Sequence, residues 1–341
     1  MTRAQGSLLV LLGLLVALFW LAPDVPLLGF AAVLLAIALR VPAEWIASHT
    51  GMRRWVAVVA LVAGLAAAVA LAVWSAWAPL VDQANQLVVD LPRGVEAFRE
   101  RLEGTRIGGW LAERLRPPEA VDGQSAVAQA AAAASGMLGV VGNAALVLLT
   151  GIYMAIRPQG YLRGLVAMTH PSLDRPMRET LAECGRVLRG FLLGQGFAMV
   201  VTGALTWVGL LLLGVPLAGV LAVITAILGF IPVIGPVIAA VPAMLLALTQ
   251  SPTLALYVAL LFFVVQFIEG NILTPMVQSE AADVPPALLL LAQVLTGALF
   301  GLLGVALAAP MAAVALVLVR RAYVEGWLGR RGQDEEAEPS A

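Results

Sequence analysis

The feature that most constrains this chain is the length of its uncharged stretches. No charged residue occurs in 191–268, a run of 78 residues, and none occurs in 284–319. Apolar residues make up 61% of the sequence and charged residues 12%, about half the roughly 25% found in soluble proteins. Because a soluble fold needs a polar exterior, this composition predicts an integral membrane protein.

Composition also excludes several classes of function. The 20 basic and 21 acidic residues nearly balance, and this gives no sign of a nucleic-acid partner. One cysteine and two separated histidines, His49 and His170, do not provide a metal-binding cluster. The phosphate-binding glycine motif of ATP-driven proteins is absent from the sequence. We therefore expect no metal, no cofactor and no enzymatic activity.

The apolar runs predict an all-α polytopic membrane protein with about eight membrane segments, since a spanning helix needs about 20 apolar residues. The first four runs are Ser7–Ala22, Leu27–Leu39, Trp55–Trp77 and Gly136–Ile156. A cleaved signal peptide is the alternative interpretation of the first run. The predicted order is three spans in 1–80, an extracytoplasmic helical insertion at 81–134, a fourth span at 135–156, a cytoplasmic basic loop at 157–190, a transport core of broken helices at 191–319 and a disordered cytoplasmic tail at 320–341.

Arginine positions predict the orientation in the membrane. Segment 157–190 holds six arginines against three acids, whereas 81–134 holds six arginines against eight acids. Loops rich in arginine stay on the cytoplasmic side, so we expect both termini and 157–190 inside and 81–134 outside. The outer insertion then acts as a lid or an assembly surface, or it is a solvated linker with amphipathic helices.

One uncharged segment is broken in its middle. Leu217–Phe230 and Val237–Thr249 are each too short to cross about 30 Å of hydrocarbon. Between them lie Pro232, Gly235 and Pro236, which predict a helical hairpin with its tip inside the bilayer and a left-handed turn at Gly235. Unwound backbone at that depth requires protein or a watery cavity beside it, so the tip is a candidate substrate site. A proline-kinked packed helix is the alternative.

A similar pattern follows further along the chain. Segment 286–319 is uncharged and interrupted by Gly297, Gly301, Gly304 and Pro310. A span followed by a broken double segment thus occurs twice, at 191–249 and at 253–319. This arrangement is consistent with an inverted-topology repeat, which is common in secondary transporters.

Polar side chains within the uncharged half indicate what it could bind. They are Gln195, Thr202, Thr206, Thr225, Gln266, Asn271, Thr274 and Gln293. Amide and hydroxyl groups suit a neutral polyol, although a membrane threonine commonly bonds its own backbone instead. Glu269 is the single acid in 191–279. It is either an interfacial anchor of its helix or a group that lines the solute path and carries a coupled proton.

Two strings resemble the signatures of a known family. They are Gly229-Phe-Ile-Pro-Val-Ile-Gly-Pro236 and Gln266-Phe-Ile-Glu-Gly-Asn-Ile-Leu-Thr-Pro275, and both are similar to motifs of the AI-2E family of autoinducer-2 exporter-like permeases. Leu188–Gln195 and Gly301–Pro310 also resemble family segments. The resemblance covers about 8–325 and implies a multi-pass protein of the bacterial cytoplasmic membrane.

The sequence departs from the family pattern at two places. Arg157-Pro158 stands where many relatives carry an acid, and Pro285-Pro286 stands where many have a His-Pro pair. No role of that acid or histidine is therefore transferred to this chain.

Three functions remain open at this stage. The first is a secondary transporter of a small polar solute such as autoinducer-2, a quorum-sensing signal. The second is a Na⁺(Li⁺)/H⁺ antiporter, which some relatives are described to be, and the third is a passive channel or membrane scaffold. Antiporters usually need intramembrane carboxylates, and only Glu269 is available. The candidate transport path comprises Gln195, Pro232, Gly235, Pro236, Gln266, Glu269, Asn271, Thr274, Pro275 and Gln293.

The expected partners follow from the same features. They are the lipid bilayer, the solute, and H⁺ or Na⁺ as a coupling ion. Small residues in the fourth span, among them Gly139, Gly142 and Ala144, allow close helix packing within or between subunits. We therefore expect a homo-oligomer.

Overall fold

The computed structural model of the protein describes residues 24–67, 123–273 and 285–321 together with the single positions 13, 21, 22, 70, 71 and 325. Within 123–138 it describes the backbone only. The predicted first span, most of the insertion at 81–134 and most of the tail lie outside these residues. No strand occurs in the described ranges, which are helical almost throughout. The protein is an all-α polytopic membrane protein, as the sequence predicts.

The helices are numbered in chain order. They are α1 (Asp24–Thr50), α2 (Arg54–Ala67), α3 (Gly123–Ile156), α4 (Pro158–Ala167), a 3₁₀ turn (Pro171–Leu173), α5 (Asp174–Leu212), α6 (Ala218–Leu228), α7 (Ile234–Gln250), α8 (Pro252–Ile268), a π-helical turn (Glu269–Leu273) and α9 (Pro286–Leu318). Within the described ranges, five segments are long and apolar enough to cross a membrane, and α2, α6 and α7 are shorter apolar helices. The predicted number of spans stays a prediction.

Two helices extend well beyond the apolar runs that predict them. The run Leu27–Leu39 is part of α1, which continues through the charged residues to Thr50. The predicted loop at 157–190 is largely helical, because α5 begins at Asp174 and runs without a break into the fifth span. Ion pairs four residues apart stabilise both extensions: Arg40 with Glu44 at 2.8 Å, and Arg175 with Glu179 at 2.9 Å.

The described residues form two compact units. The first contains 24–63, 146–194 and 285–321, and the second contains 64–67, 123–145 and 195–273. In the first unit, one apolar cluster joins α1 to α5 and α9 through Leu27, Leu34, Leu188 and Leu307. Another cluster joins α1, α2 and the end of α3 through Ala36, Leu39, Ala43, Ala57, Val58 and Ala155.

The second unit is built on helices that reverse direction at short turns. The last part of α5 packs against α6, where Gly203 lies against Ala226 and leaves no room for a larger side chain. Helices α6 and α7 form a hairpin, and α7 and α8 form another around the single residue Ser251. One core joins all four helices through Leu210, Ala218, Leu221, Ala239, Ala243, Leu246, Ala247, Ala255, Val258 and Phe262.

Helix α9, in the first unit, is broken as the sequence predicts. Gly301 has φ 62° and ψ −146°, which no helical residue adopts. A Cβ atom on Gly304 would overlap the carbonyl group of Thr296, eight residues away. A straight helix would hold these residues about 12 Å apart, so the chain bends sharply at Gly301 and its two halves contact each other. Pro310 lies buried inside the second half without breaking it.

Candidate functional site

The tip of the α6–α7 hairpin has a strained backbone. The amide of Ile234 donates to the carbonyl of Pro232 at 2.8 Å, across Val233, whose φ is 68° and ψ is −56°. These values define a γ-turn of the rare form, and a β-branched residue at positive φ is an outlier. Such conformations persist only where the surrounding structure imposes them, and they are concentrated at functional sites. Helices α6 and α7 thus form a hairpin with a strained turn at its tip, and the position of the tip inside the bilayer stays a prediction.

The structure corrects one expectation about the role of Gly235 in this turn. The sequence predicts that Gly235 supplies the left-handed conformation, but the positive φ lies at Val233, and Gly235 is a buried residue of the first turn of α7. A Cβ atom on Gly235 would overlap the carbonyl oxygen of Leu228. Glycine is required here because two helices approach closely. Pro236 lies in the same first turn, where helix amides have no intrahelical acceptor and a missing N–H costs little.

Gln195 joins the hairpin tip to α5. Its Nε2 donates to the carbonyl oxygen of Gly229 at 2.5 Å. Gly229 follows the last residue of α6, where carbonyl groups have no partner within the helix. The side chain of Met199, one turn further along α5, also lies beside Gly229. The structure thus brings Gln195 into direct contact with the turn that contains Pro232.

The register of α7 and α8 places Gln266 at the level of the same tip. Helix α7 ends and α8 begins at Ser251. Residues at similar sequence distances before and after Ser251 are buried in the same core, namely Ala247 and Ala255, Ala243 and Val258, and Ala239 and Phe262. Both helices rise by the same distance per residue, so one turn further from Ser251, Gln266 of α8 lies opposite Gly235 and Pro236 of α7. The Oε1 atom of Gln266 is buried and has no hydrogen-bond partner among the described residues.

Glu269 begins the π-helical turn that ends α8. Its side chain is buried, with 9% of its surface exposed. Glu269 is the only charged residue in 195–273, and π-helical turns within longer helices are frequent at functional sites. Asn271, two residues further on, is exposed and donates from Nδ2 to the carbonyl of Phe267 at 3.0 Å. This bond is local to the helix.

Three further residues belong to the predicted path. Thr274 and Pro275 lie outside the described residues. Gln293 is buried, with 1% exposed, but it belongs to α9 of the first unit. The tip thus contains Pro232, Gly235 and Pro236, with Gln195 bonded to it. Gln266 lies at its level, and Glu269 and Asn271 follow along the chain. Their shared role in a transport path stays a prediction.

The buried threonines divide into two groups. Thr202, Thr225 and Thr296 each donate to a backbone carbonyl four residues earlier, at 2.8, 2.8 and 2.7 Å. These hydroxyls are used by their own helices, which was the alternative interpretation from the sequence. Thr206 differs, because it is fully buried and its Oγ1 has no partner among the described residues. It is the threonine of α5 that remains able to bind a polar group.

The fold and this site define a class of protein. Several described helices are long and apolar enough to cross a membrane. One helical segment is broken at Val233 and another at Gly301, and Gln195 bonds to the first break. Among the described residues, no group of histidine, cysteine and carboxylate side chains is arranged to hold a metal ion. Such an architecture is that of a membrane transporter. Comparison with known families agrees, and the chain belongs to the AI-2E transporter family, whose sequence model matches residues 8–323.

Individual relatives are also named as transport proteins. YrrI of Bacillus subtilis is 34% identical over 132 residues, which cover 39% of this chain and 37% of YrrI. YueF of the same organism is 29% identical over 53% of this chain and 50% of YueF. MT0215 of Mycobacterium tuberculosis is 28% identical over 89% of this chain and 86% of that protein. The chain thus spans half or less of the length of the first two relatives.

Proposed function

We propose that the protein is a secondary transporter that moves a small polar solute, such as autoinducer-2, by alternating access. The single observation that carries this proposal is the strained hairpin tip held by Gln195. The turn is strained at Val233 and bonded to a neighbouring helix at Gly229. We therefore expect it to change to a second arrangement during transport. Opening and closing of such a tip would expose the site to one side of the membrane at a time.

The chemistry around the tip supports a neutral solute with several hydroxyl groups. The Oε1 atom of Gln266 is a buried polar group without a protein partner in the described ranges. The hydroxyl of Thr206 is also buried and unpaired there, but it lies about 16 Å along α5 from Gln195. An unpaired buried polar group costs about 1–3 kcal/mol, and a solute hydroxyl that bonds to it removes this cost. Gln195 adds an amide whose carbonyl oxygen can accept a further bond.

Glu269 supports the second candidate, a Na⁺(Li⁺)/H⁺ antiporter. A buried carboxylate close to unwound backbone is the group that such proteins use to bind a cation and a proton in turn. Antiporters usually have more than one intramembrane carboxylate, whereas 195–273 holds Glu269 alone, so the solute transporter is preferred. In either case Glu269 is the proposed site of proton coupling.

The proposed location is the bacterial cytoplasmic membrane, with both termini and 157–190 inside the cell. The arginine excess of 157–190 supports this orientation. The bilayer, the solute and H⁺ or Na⁺ are the proposed partners, together with further copies of the chain.

Flux into sealed vesicles tests the proposal. Purified protein is reconstituted, a pH gradient is imposed, and uptake of autoinducer-2 and of Na⁺ is measured separately. We expect saturable autoinducer-2 flux that Gln195→Leu reduces at least tenfold, whereas Gln250→Leu, an exposed position at the end of α7, leaves it unchanged. Na⁺ flux alone would favour the antiporter. Non-saturable leakage would indicate a channel, and no flux of either solute would indicate a scaffold.

A further inference from the structure

A cavity of about 410 Å³ lies in the first unit, and no residue of the proposed transport path lines it. Four helices contribute to it: the middle of α1, the start of α2, the end of α3 and the first turns of α4. Its charged side chains are four arginines, Arg40, Arg54, Arg157 and Arg163, and one acid, Glu44. The cavity therefore carries a net charge of +3, in a protein whose overall charge is −1.

The positive charge is only partly neutralised by neighbouring groups. Arg40 pairs with Glu44 at 2.8 Å, and Arg189 also approaches this carboxylate at 3.7 Å. Arg54 and Arg157 make no ion pair with any described residue. Two guanidinium groups are thus available to an anion, and the start of α4 adds the positive end of a helix dipole.

The side chains around the cavity indicate its depth in the membrane. Exposed aromatic residues lie close in sequence to its arginines on all four helices: Trp45, Trp55, Tyr153 and Tyr161. Tryptophan and tyrosine are enriched where the lipid headgroups meet the hydrocarbon. The floor of the cavity is apolar and consists of Ala43, Val58, Ala155 and Ile156. An anion at this depth lies at the level of lipid phosphates.

We infer that this cavity binds the phosphate group of an anionic phospholipid, with Arg54 and Arg157 as its main contacts. Guanidinium groups bind phosphate oxygens through two parallel hydrogen bonds. The volume suits a phosphoglycerol headgroup, and basic pockets between helices on the cytoplasmic side bind such headgroups. The leucines Leu162 and Leu165 of α4 are exposed beside the aromatic residues and can contact the acyl chains.

Lipid retention by the purified full-length protein tests this assignment. Native mass spectrometry in a non-ionic detergent measures binding of phosphatidylglycerol and of phosphatidylcholine with the same acyl chains. The double variant Arg54→Gln/Arg157→Gln removes the two free guanidinium groups. The matched control, Arg53→Gln/Arg178→Gln, removes the same charge from exposed positions that do not line the cavity. A third variant, Arg54→Lys/Arg157→Lys, keeps the charge.

We expect the wild-type protein and the control to retain phosphatidylglycerol in preference to phosphatidylcholine. Loss of two charged contacts should weaken phosphatidylglycerol binding by at least about tenfold, and the lysine variant should bind within about threefold of wild type. Equal weakening in the control would overturn the proposal, as would unchanged binding in the glutamine variant. Binding of inorganic phosphate as tightly as phosphatidylglycerol would assign the cavity to free phosphate. None of these readouts depends on transport.

Discussion

The close packing of α6 against α7 in the hairpin requires that Gly235 has no side chain. Gly235→Ala should destabilise the protein by about 1–3 kcal/mol and reduce transport, because the new Cβ must displace the Leu228 carbonyl and separate α6 from α7. The matched control is Gly219→Ala in α6, where a Cβ would meet no atom within 4 Å. That change should be neutral or stabilise by up to about 1 kcal/mol. Thermal melting in detergent measures both variants, and equal melting temperatures would contradict the close approach.

The importance of Gly235 is predictable from the sequence, but its physical reason is not. Two prolines flanking a glycine within an apolar segment indicate a turn, and the natural assumption is that glycine takes the positive φ. In the structure a β-branched residue, Val233, takes it. No local pattern predicts this, since valine disfavours positive φ and only the packing of α6 against α7 imposes it.

Glu269 is the residue whose role is most directly tested by substitution. Glu269→Gln preserves shape and most hydrogen bonding but cannot carry a proton. If the carboxylate couples transport to the pH gradient, this variant should lose gradient-driven flux by at least tenfold while its melting temperature stays within a few degrees. Glu179→Gln, at an exposed position in the charged part of α5, is the matched control. Full gradient-driven flux in Glu269→Gln would exclude the proton role.

At the scale of elements, hydropathy predicts where the membrane segments lie but not where the helices end. Helix α5 has 39 residues and is about 58 Å long, nearly twice the hydrocarbon thickness. Hydropathy alone predicts a loop for the charged half of α5, because the apolar pattern is absent from that half. Ion pairs such as that between Arg175 and Glu179 stabilise this part of the helix.

The hairpin of α6 and α7 was predictable from two short apolar runs separated by a break that contains Pro232 and Pro236. Their depth is tested by thiol labelling after Cys184→Ala removes the native cysteine. Val233→Cys should react with a membrane-impermeant maleimide at least tenfold more slowly than Ser172→Cys, which lies exposed in the 3₁₀ turn. Open membrane fragments give the reagent access to both faces. Equal labelling rates would show that the tip lies in water.

At the scale of the whole molecule, sites assembled from distant segments could not be predicted. The arginine-lined cavity combines residues from 40–54 with residues from 155–163. Likewise, Arg321 at the end of α9 bonds to Glu183 of α5, 138 residues earlier. The sequence shows each group only as part of a charged loop or helix end. The cavity depends on how α1 packs against α2 and α3, and the Arg321–Glu183 bond depends on how α5 packs against α9. Hydropathy carries no information about either packing.

The orientation of the molecule depends on α3, which is the one membrane segment between Gly123 and His170. Its apolar part, Gly139–Ile156, is long enough to cross, whereas α4 has ten residues and reaches only about 15 Å. We therefore expect positions 123 and 170 to lie on opposite sides of the membrane.

Reporter fusions test which of the positions 123 and 170 lies on the cytoplasmic side. A fluorescent protein that folds only in the cytoplasm should fluoresce when fused after His170 and stay dark when fused after Gly123, because the six arginines of 157–190 favour the cytoplasmic side. Alkaline phosphatase, active only outside, should give the opposite pattern and serves as the control. Fluorescence from both fusions would show that α3 does not cross. A reversed pattern would place the arginine-lined cavity on the outer face, against the cytoplasmic lipid site inferred for it.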